Sequence, residues 1–172
     1  MCYFLYIASP LTLGEVRSML PTGVVADLAS SHDQRALKAI HPAAQTVALL
    51  QVGRCSCDLV RPRQPDARED ERHLRERYRR SAVSRDETIK ALERHRRTDR
   101  PRATMQDWTR PLASFVAEHA RNAGPTMYYL HFSSQPAALG ALSSVHRVPV
   151  TQVLSEPEGW LQEGTPTLVS RS

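Results

Sequence analysis

Three cysteines, Cys2, Cys55 and Cys57, are the residues best equipped for chemistry in this 172-residue chain. Cys55 and Cys57 stand two apart. In an extended strand, residues i and i+2 point to the same face, so this spacing would set two thiols side by side. Cys2 lies on a second apolar stretch, and pairing of the two stretches would bring it close. Three thiolates and one further donor make a tetrahedral zinc site. Asp58, directly after the pair, or one of the seven histidines would complete the shell. The same residues suit two other uses. Free cysteine is among the most often buried residue types, and a thiolate of lowered pKa is a nucleophile or a redox centre. The spacing leaves all three readings open.

A second feature is charge. Residues 61–102 carry 15 Lys/Arg and 9 Asp/Glu, a balance of +6; the remainder carries 8 and 9, a balance of −1. Nearly all the cations are arginine, whose planar fork binds two phosphate or carboxylate oxygens at once. Arg72, Arg75, Arg79, Arg80, Arg94 and Arg97 are therefore candidates for holding nucleic acid or an acidic protein partner, with Tyr78 available to stack on a base. The interleaved acids would repel phosphate and favour a solvated helical hairpin. Ser31-His32-Asp33 holds the residue types of a hydrolytic triad, but adjacency does not give triad geometry. The chain has no phosphate loop, dinucleotide-binding glycine pattern, His-Glu-x-x-His or Gly-x-Ser-x-Gly, so whether it is an enzyme stays open.

These residues need elements to position them. With 41% hydrophobic residues, the chain can bury a core. Residues 2–8 read as a buried strand. Thr12 and Glu15 form a capping-box pattern for a short helix that Pro21 ends. A second strand is expected near 24–28 and a short helix near 33–40. The stretch 46–60 reads as extended, with Gly53 as a bulge or bend. Helices follow over 67–80 and from Ser84 onward. A third carries Trp108, Leu112, Phe115, Val116 and His119 on one face, up to Gly124 and Pro125. Residues 127–132 are the third strong strand. Beyond them the reading is a short helix over 138–146 and a strand over 148–154.

The fold class expected is α/β (α+β), a small mixed sheet packed by helices with an Arg-rich helical insertion. The domain spans 1–155, with the insertion at 66–123, and 156–172 is a poorly structured tail. Residues 3–9 align with 128–134, and two strand–helix–strand units flanking a middle strand would give four or five strands. Ferredoxin-like and thioredoxin-like layers both accommodate that pattern.

Residues 1–13 lack a basic leading region and are soon followed by Glu15 and Arg17, unlike an export signal. No apolar run is long enough to cross a bilayer. An odd number of cysteines suits reduced thiols. The expectation is a cytoplasmic protein with no membrane partner.

The opening Met1-Cys2-Tyr3-Phe4-Leu5-Tyr6-Ile7-Ala8-Ser9 and the later Cys55-Ser56-Cys57 resemble a group of small bacterial proteins of unknown activity. Those begin with Met-Cys…Tyr-Ile-Ala-Ser and carry a Cys-x-Cys about fifty residues on. The resemblance covers two short pieces, brings no activity with it, and implies only that the three cysteines form one site. Cys2 would also become an N-terminal nucleophile if Met1 were removed, as in class II amidotransferases, but Tyr3 and Phe4 replace the glycine and isoleucine of that family.

Overall fold

The strand expected at the start of the chain is the centre of the molecule. The structure, a computed structural model, describes residues 2–53, 55–60, 67–80, 84–98, 107–133, 142 and 144–171, with only the backbone at 67–71, 73 and 95–98. Strand β1 (Cys2–Ser9) is flanked by β3 (Thr46–Gln51) and β4 (Thr126–Ser133), both antiparallel to it. A strand paired on both sides and covered on both faces must be apolar throughout, and this one is buried from Tyr3 to Ser9. Burying a side chain such as Leu5 or Ile7 contributes roughly 1.5–3 kcal/mol.

The remaining strands, β2 (Val25–Leu28), β5 (His146–Pro149) and β6 (Thr167–Ser170), complete one six-stranded mixed sheet in the order β2-β3-β1-β4-β6-β5. Helix α1 (Leu13–Met19) joins β1 to β2. Both strands run antiparallel to β3, so they are parallel to one another with β3 between them, a split βαβ unit. The expected capping box starts α1: Thr12 Oγ1 accepts from Glu15 N, and Glu15 Oε2 accepts from Thr12 N.

The faces of β1 pack differently. Phe4, Tyr6 and Ala8 join Val47, Met127 and Tyr129 in a buried cluster under Leu37 of α2 (Ser31–Ile40). Ser9 looks to the opposite face, where its Oγ meets His119 Nε2 of α6 (Thr109–Ala123) at 2.8 Å. Helix α6 buries the expected stripe, including Leu112, Phe115, Val116 and His119, and ends at Gly124 with φ +83°. The β2 edge exposes Val25 at 46% and Leu28 at 60%. Arg17 blunts it, with Nε donating to Ala26 O at 2.9 Å.

The α/β class and mixed sheet are as expected, while several details differ. Residues 150–154 are not a strand: β5 stops at Pro149, and α7 (Val150–Ser155) buries Val150 and Val153, one helical turn apart. The stretch 156–172 is not a loose tail. It supplies β6, an interior strand between β4 and β5, and Trp160, 2% exposed and edge-on to Tyr128. The sheet consequently has six strands, not four or five. The two similar segments pair with each other in its centre, Leu5 opposite Leu130, and do not flank a middle strand. The expected short helix over 138–146 falls mostly outside the described residues, and its end, His146, begins β5.

The chain divides into two compact units, Met1–Val60 with Asp107–Ser172, and Arg61–Gln106. The insertion is therefore shorter than 66–123, because α6 belongs to the sheet unit and packs on α7 and β4. The second unit holds α4 (Ala67–Arg80) and α5 (Arg85–Thr98), which pack on one another, with Leu74, Tyr78 and Leu92 as buried residues. No helix among the described residues is long and apolar enough to cross a membrane.

Candidate metal centre

Strand β3 ends at Gln51, and the chain then turns back within four residues. Gly53 takes a φ of +68°, which glycine adopts without strain, and Val52 N donates to Cys55 O at 3.0 Å. Cys55 and Cys57 are therefore not on a common strand face. Cys55 closes the turn, and Cys57 opens the helical turn α3 (Cys57–Val60), anchored by buried Leu59.

Ser56, fully buried between the cysteines, ties this turn to β1 and β3. Its N–H donates to Tyr3 O at 3.1 Å; its Oγ accepts from Leu5 N at 2.8 Å and donates to Leu50 O at 2.5 Å. The side chain thus bridges Leu5 of β1 and Leu50, its partner on β3, through one hydroxyl. One step further along, Tyr3 N donates to Cys57 Sγ at 3.3 Å. These bonds carry Cys57 to the first rung of β1, where Cys2 stands. The sulfurs of Cys2, Cys55 and Cys57 lie within 4.8 Å of one another, and all three residues are partly exposed.

The cluster polarises its own protons. Cys57 S–H is hydrogen-bonded to Cys55 Sγ, and this bond is the main reason the Cys55 thiol is pulled down to about 6. Burial opposes the shift, the Cys57 backbone N–H adds to it, the Asp58 charge opposes it, and the Cys2 thiol adds a further hydrogen bond. Cys57 moves the other way: as the donor to Cys55, and as a buried group, it is pushed well above the ordinary thiol range. The pair titrates as a unit that releases one proton early and holds the other.

The sulfur geometry suits a thiophilic ion. Sulfurs about 2.3 Å from zinc at tetrahedral angles stand ~3.8 Å apart, so closing the cluster on an ion takes small side-chain rotations. No Asp, Glu or His among the described residues joins the three sulfurs. The expectation that Asp58 or a described histidine completes the shell is not met. Asp58 acts on Cys55 only through its charge. His41 Nε2 meets Pro125 O, His119 meets Ser9, and His131 stacks on Tyr129.

The other candidates stand apart. Arg72, Arg75, Arg79, Arg80 and Arg94 are exposed on α4 and α5, and the Arg97 side chain lies outside the described residues. Glu76 Oε1 holds Arg79 at 3.0 Å and Arg80 at 3.4 Å, so acids within the helix neutralise part of the basic face. Ser31-His32-Asp33 forms no triad. Asp33 accepts from the N-cap Ser30 Oγ and from Tyr6 Oη, which makes it part of a helix start. Ser56 went unnoticed in the sequence, since nothing marks a serine between cysteines as a buried bridge.

No family model matches the chain, and no curated protein or solved structure matches it, so the cysteine triad stands on its own chemistry.

Proposed function

We propose that this chain is a metal-binding protein whose site is the thiolate triad Cys2, Cys55 and Cys57, with zinc as the first candidate ion. The observation that carries this reading is the convergence of three sulfurs within 4.8 Å, with Cys2 more than fifty residues from Cys55 and Cys57 in the chain. Buried thiols placed only for packing need no common centre. Here a buried serine bridge and a backbone N–H to sulfur bond hold the sulfurs together. Three soft donors select zinc or copper(I) over magnesium or calcium. With three sulfurs as the donors among the described residues, the fourth position is open to water or an incoming ligand, as in zinc sites that act on something. Free thiols of this kind persist in a reducing compartment, and the cytoplasm fits.

The test is elemental analysis of the untagged protein, purified under reducing conditions, with a free-thiol count on the same sample. The expected result is about one ion per chain, with the thiols protected until a chelator is added. Cys2→Ser, Cys55→Ser and Cys57→Ser should each lower the affinity while keeping the far-UV circular dichroism of the parent. Metal content unchanged in all three variants, or no uptake by the reduced protein after reconstitution, sinks the reading.

A further inference from the structure

The same three sulfurs, metal-free, are close enough to bond to one another. We propose that a hydroperoxide oxidises the metal-free triad and closes a disulfide between Cys55 and Cys57, making the cluster a two-electron thiol centre. The inference shares the triad's geometry with the metal reading but needs no ion to bind.

Three observations carry it. The sulfurs are mutual neighbours within 4.8 Å, so a second thiol stands beside any sulfur that is oxidised. Cys55 and Cys57 lie two residues apart, directly after a tight turn closed by the Val52 N–H bond to Cys55 O at 3.0 Å, so the chain itself keeps this pair together. The Tyr3 N–H holds Cys57 Sγ in place from behind, at 3.3 Å, and Cys55 is partly exposed in a surface turn where a small oxidant reaches it.

The step balances. Cys55 Sγ attacks the distal oxygen of the hydroperoxide; an S–O bond forms, the O–O bond breaks, and an alcohol, or water from hydrogen peroxide, leaves with the thiol proton. The Cys55 sulfenic acid is then attacked by Cys57 Sγ. An S–S bond forms, the S–O bond breaks, and hydroxide departs with the Cys57 proton as water. Two thiols give up two electrons and the peroxide takes them. Closing the bond brings the sulfurs to about 2.05 Å, and because the partner is already adjacent the second step is intramolecular. The disulfide removes two of the three sulfur donors, so ion and oxidant exclude one another at this site.

The experiment uses the full chain, stripped of metal and treated with hydrogen peroxide, followed by intact mass and peptide mapping. The wild-type chain and Cys2→Ser should each lose two hydrogens and show a Cys55–Cys57 bond. Cys57→Ser should close a disulfide more slowly and capture a sulfenic-acid reagent at Cys55. Circular dichroism of each variant confirms that it is folded. Thiols consumed no faster than free cysteine, or a Cys57→Ser chain that closes a disulfide as fast as wild type, overturns the proposal. A chain that closes the disulfide but takes up no metal removes the metal reading and leaves this one. A chain that binds metal but forms no disulfide does the reverse.

Discussion

Ser56 Oγ accepts the N–H of Leu5 at 2.8 Å, so a side-chain hydroxyl stands between Leu5 and Leu50, the residue opposite it on β3. The same oxygen donates to Leu50 O, so one hydroxyl satisfies two backbone groups in a buried place. The cost of losing it follows from the cost of leaving such groups unpaired, about 1–3 kcal/mol each. Ser56→Ala is expected to destabilise the chain by about 2–4 kcal/mol in urea unfolding. It should also weaken the thiol cluster, because the turn that carries Cys55 and Cys57 is then tied to β1 by fewer bonds. A loss below about 1 kcal/mol would mean that the hydroxyl bridge contributes little beyond a typical net hydrogen bond.

Thiol reactivity should split within the triad. A thiolate reacts with iodoacetamide and a thiol does not, so the labelling rate rises with pH through the pKa. The Cys55 thiol, lowered to about 6 chiefly by the Cys57 hydrogen bond, should label fully at neutral pH and lose rate only below that. Cys57, pushed up by donating to Cys55 and by burial, should label last. In Cys57→Ala the donor is gone, and the Cys55 profile should move toward higher pH. Identical profiles in the parent and in Cys57→Ala would remove the hydrogen bond as the cause.

Much of the fold was legible because the central strands advertise themselves. β1 and β4 are aromatic and apolar without alternation, which is what burial on both faces demands. The capping box at Thr12 and the apolar stripe of α6 were equally readable. β6 was not. Thr167-Leu168-Val169-Ser170 is four residues long, follows a stretch of Gly, Pro and Glu, and becomes a strand only because β4 and β5 leave a slot between them. Val150 and Val153 fit a strand or a helix by composition, and the helix prevails with Pro149 as its N-cap. At the site, the residue types were visible and the reason given for their meeting was wrong. Cys55 and Cys57 come together through a turn and a buried serine, a tertiary arrangement that spacing alone does not encode.

His119 makes the fold sensitive to acid. Burial lowers its pKa to about 4, against 6.5 for the free side chain, and its Nδ1 has no hydrogen-bond partner among the described residues. The unfolded state therefore takes up a proton below pH 6.5 that the folded state refuses until about 4. Stability is full above pH 6.5 and falls through that window, by a few kcal/mol at most if this group acts alone. His119→Gln keeps a polar group toward Ser9 and cannot titrate. Urea unfolding at pH 7 and pH 4.5 should show a smaller drop for the variant than for the parent. Equal drops would assign the acid sensitivity to other groups such as the half-buried His41 and His131, whose pKa values partial burial also lowers.

The C-terminal stretch should prove indispensable. Removing residues 156–172 takes away β6, which pairs antiparallel with β4 at Thr126, Met127 and Tyr128 and parallel with β5 from His146 to Pro149. It also removes Trp160, whose ring packs edge-on against Tyr128 at 5.3 Å. β5 would then have no neighbour in the sheet, and the β4 edge would expose unpaired N–H and C=O groups to other chains. The cavity left by Trp160 alone corresponds to about 3–5 kcal/mol, a large share of the stability of any domain. The shortened chain is expected to lose cooperative thermal unfolding and to aggregate, as read by calorimetry and light scattering. Trp160→Ala in the full chain separates the two contributions: it should still unfold cooperatively, at a lower temperature, because β6 remains to bridge β4 and β5. A truncated chain that melts like the parent would show that the sheet is complete without its sixth strand.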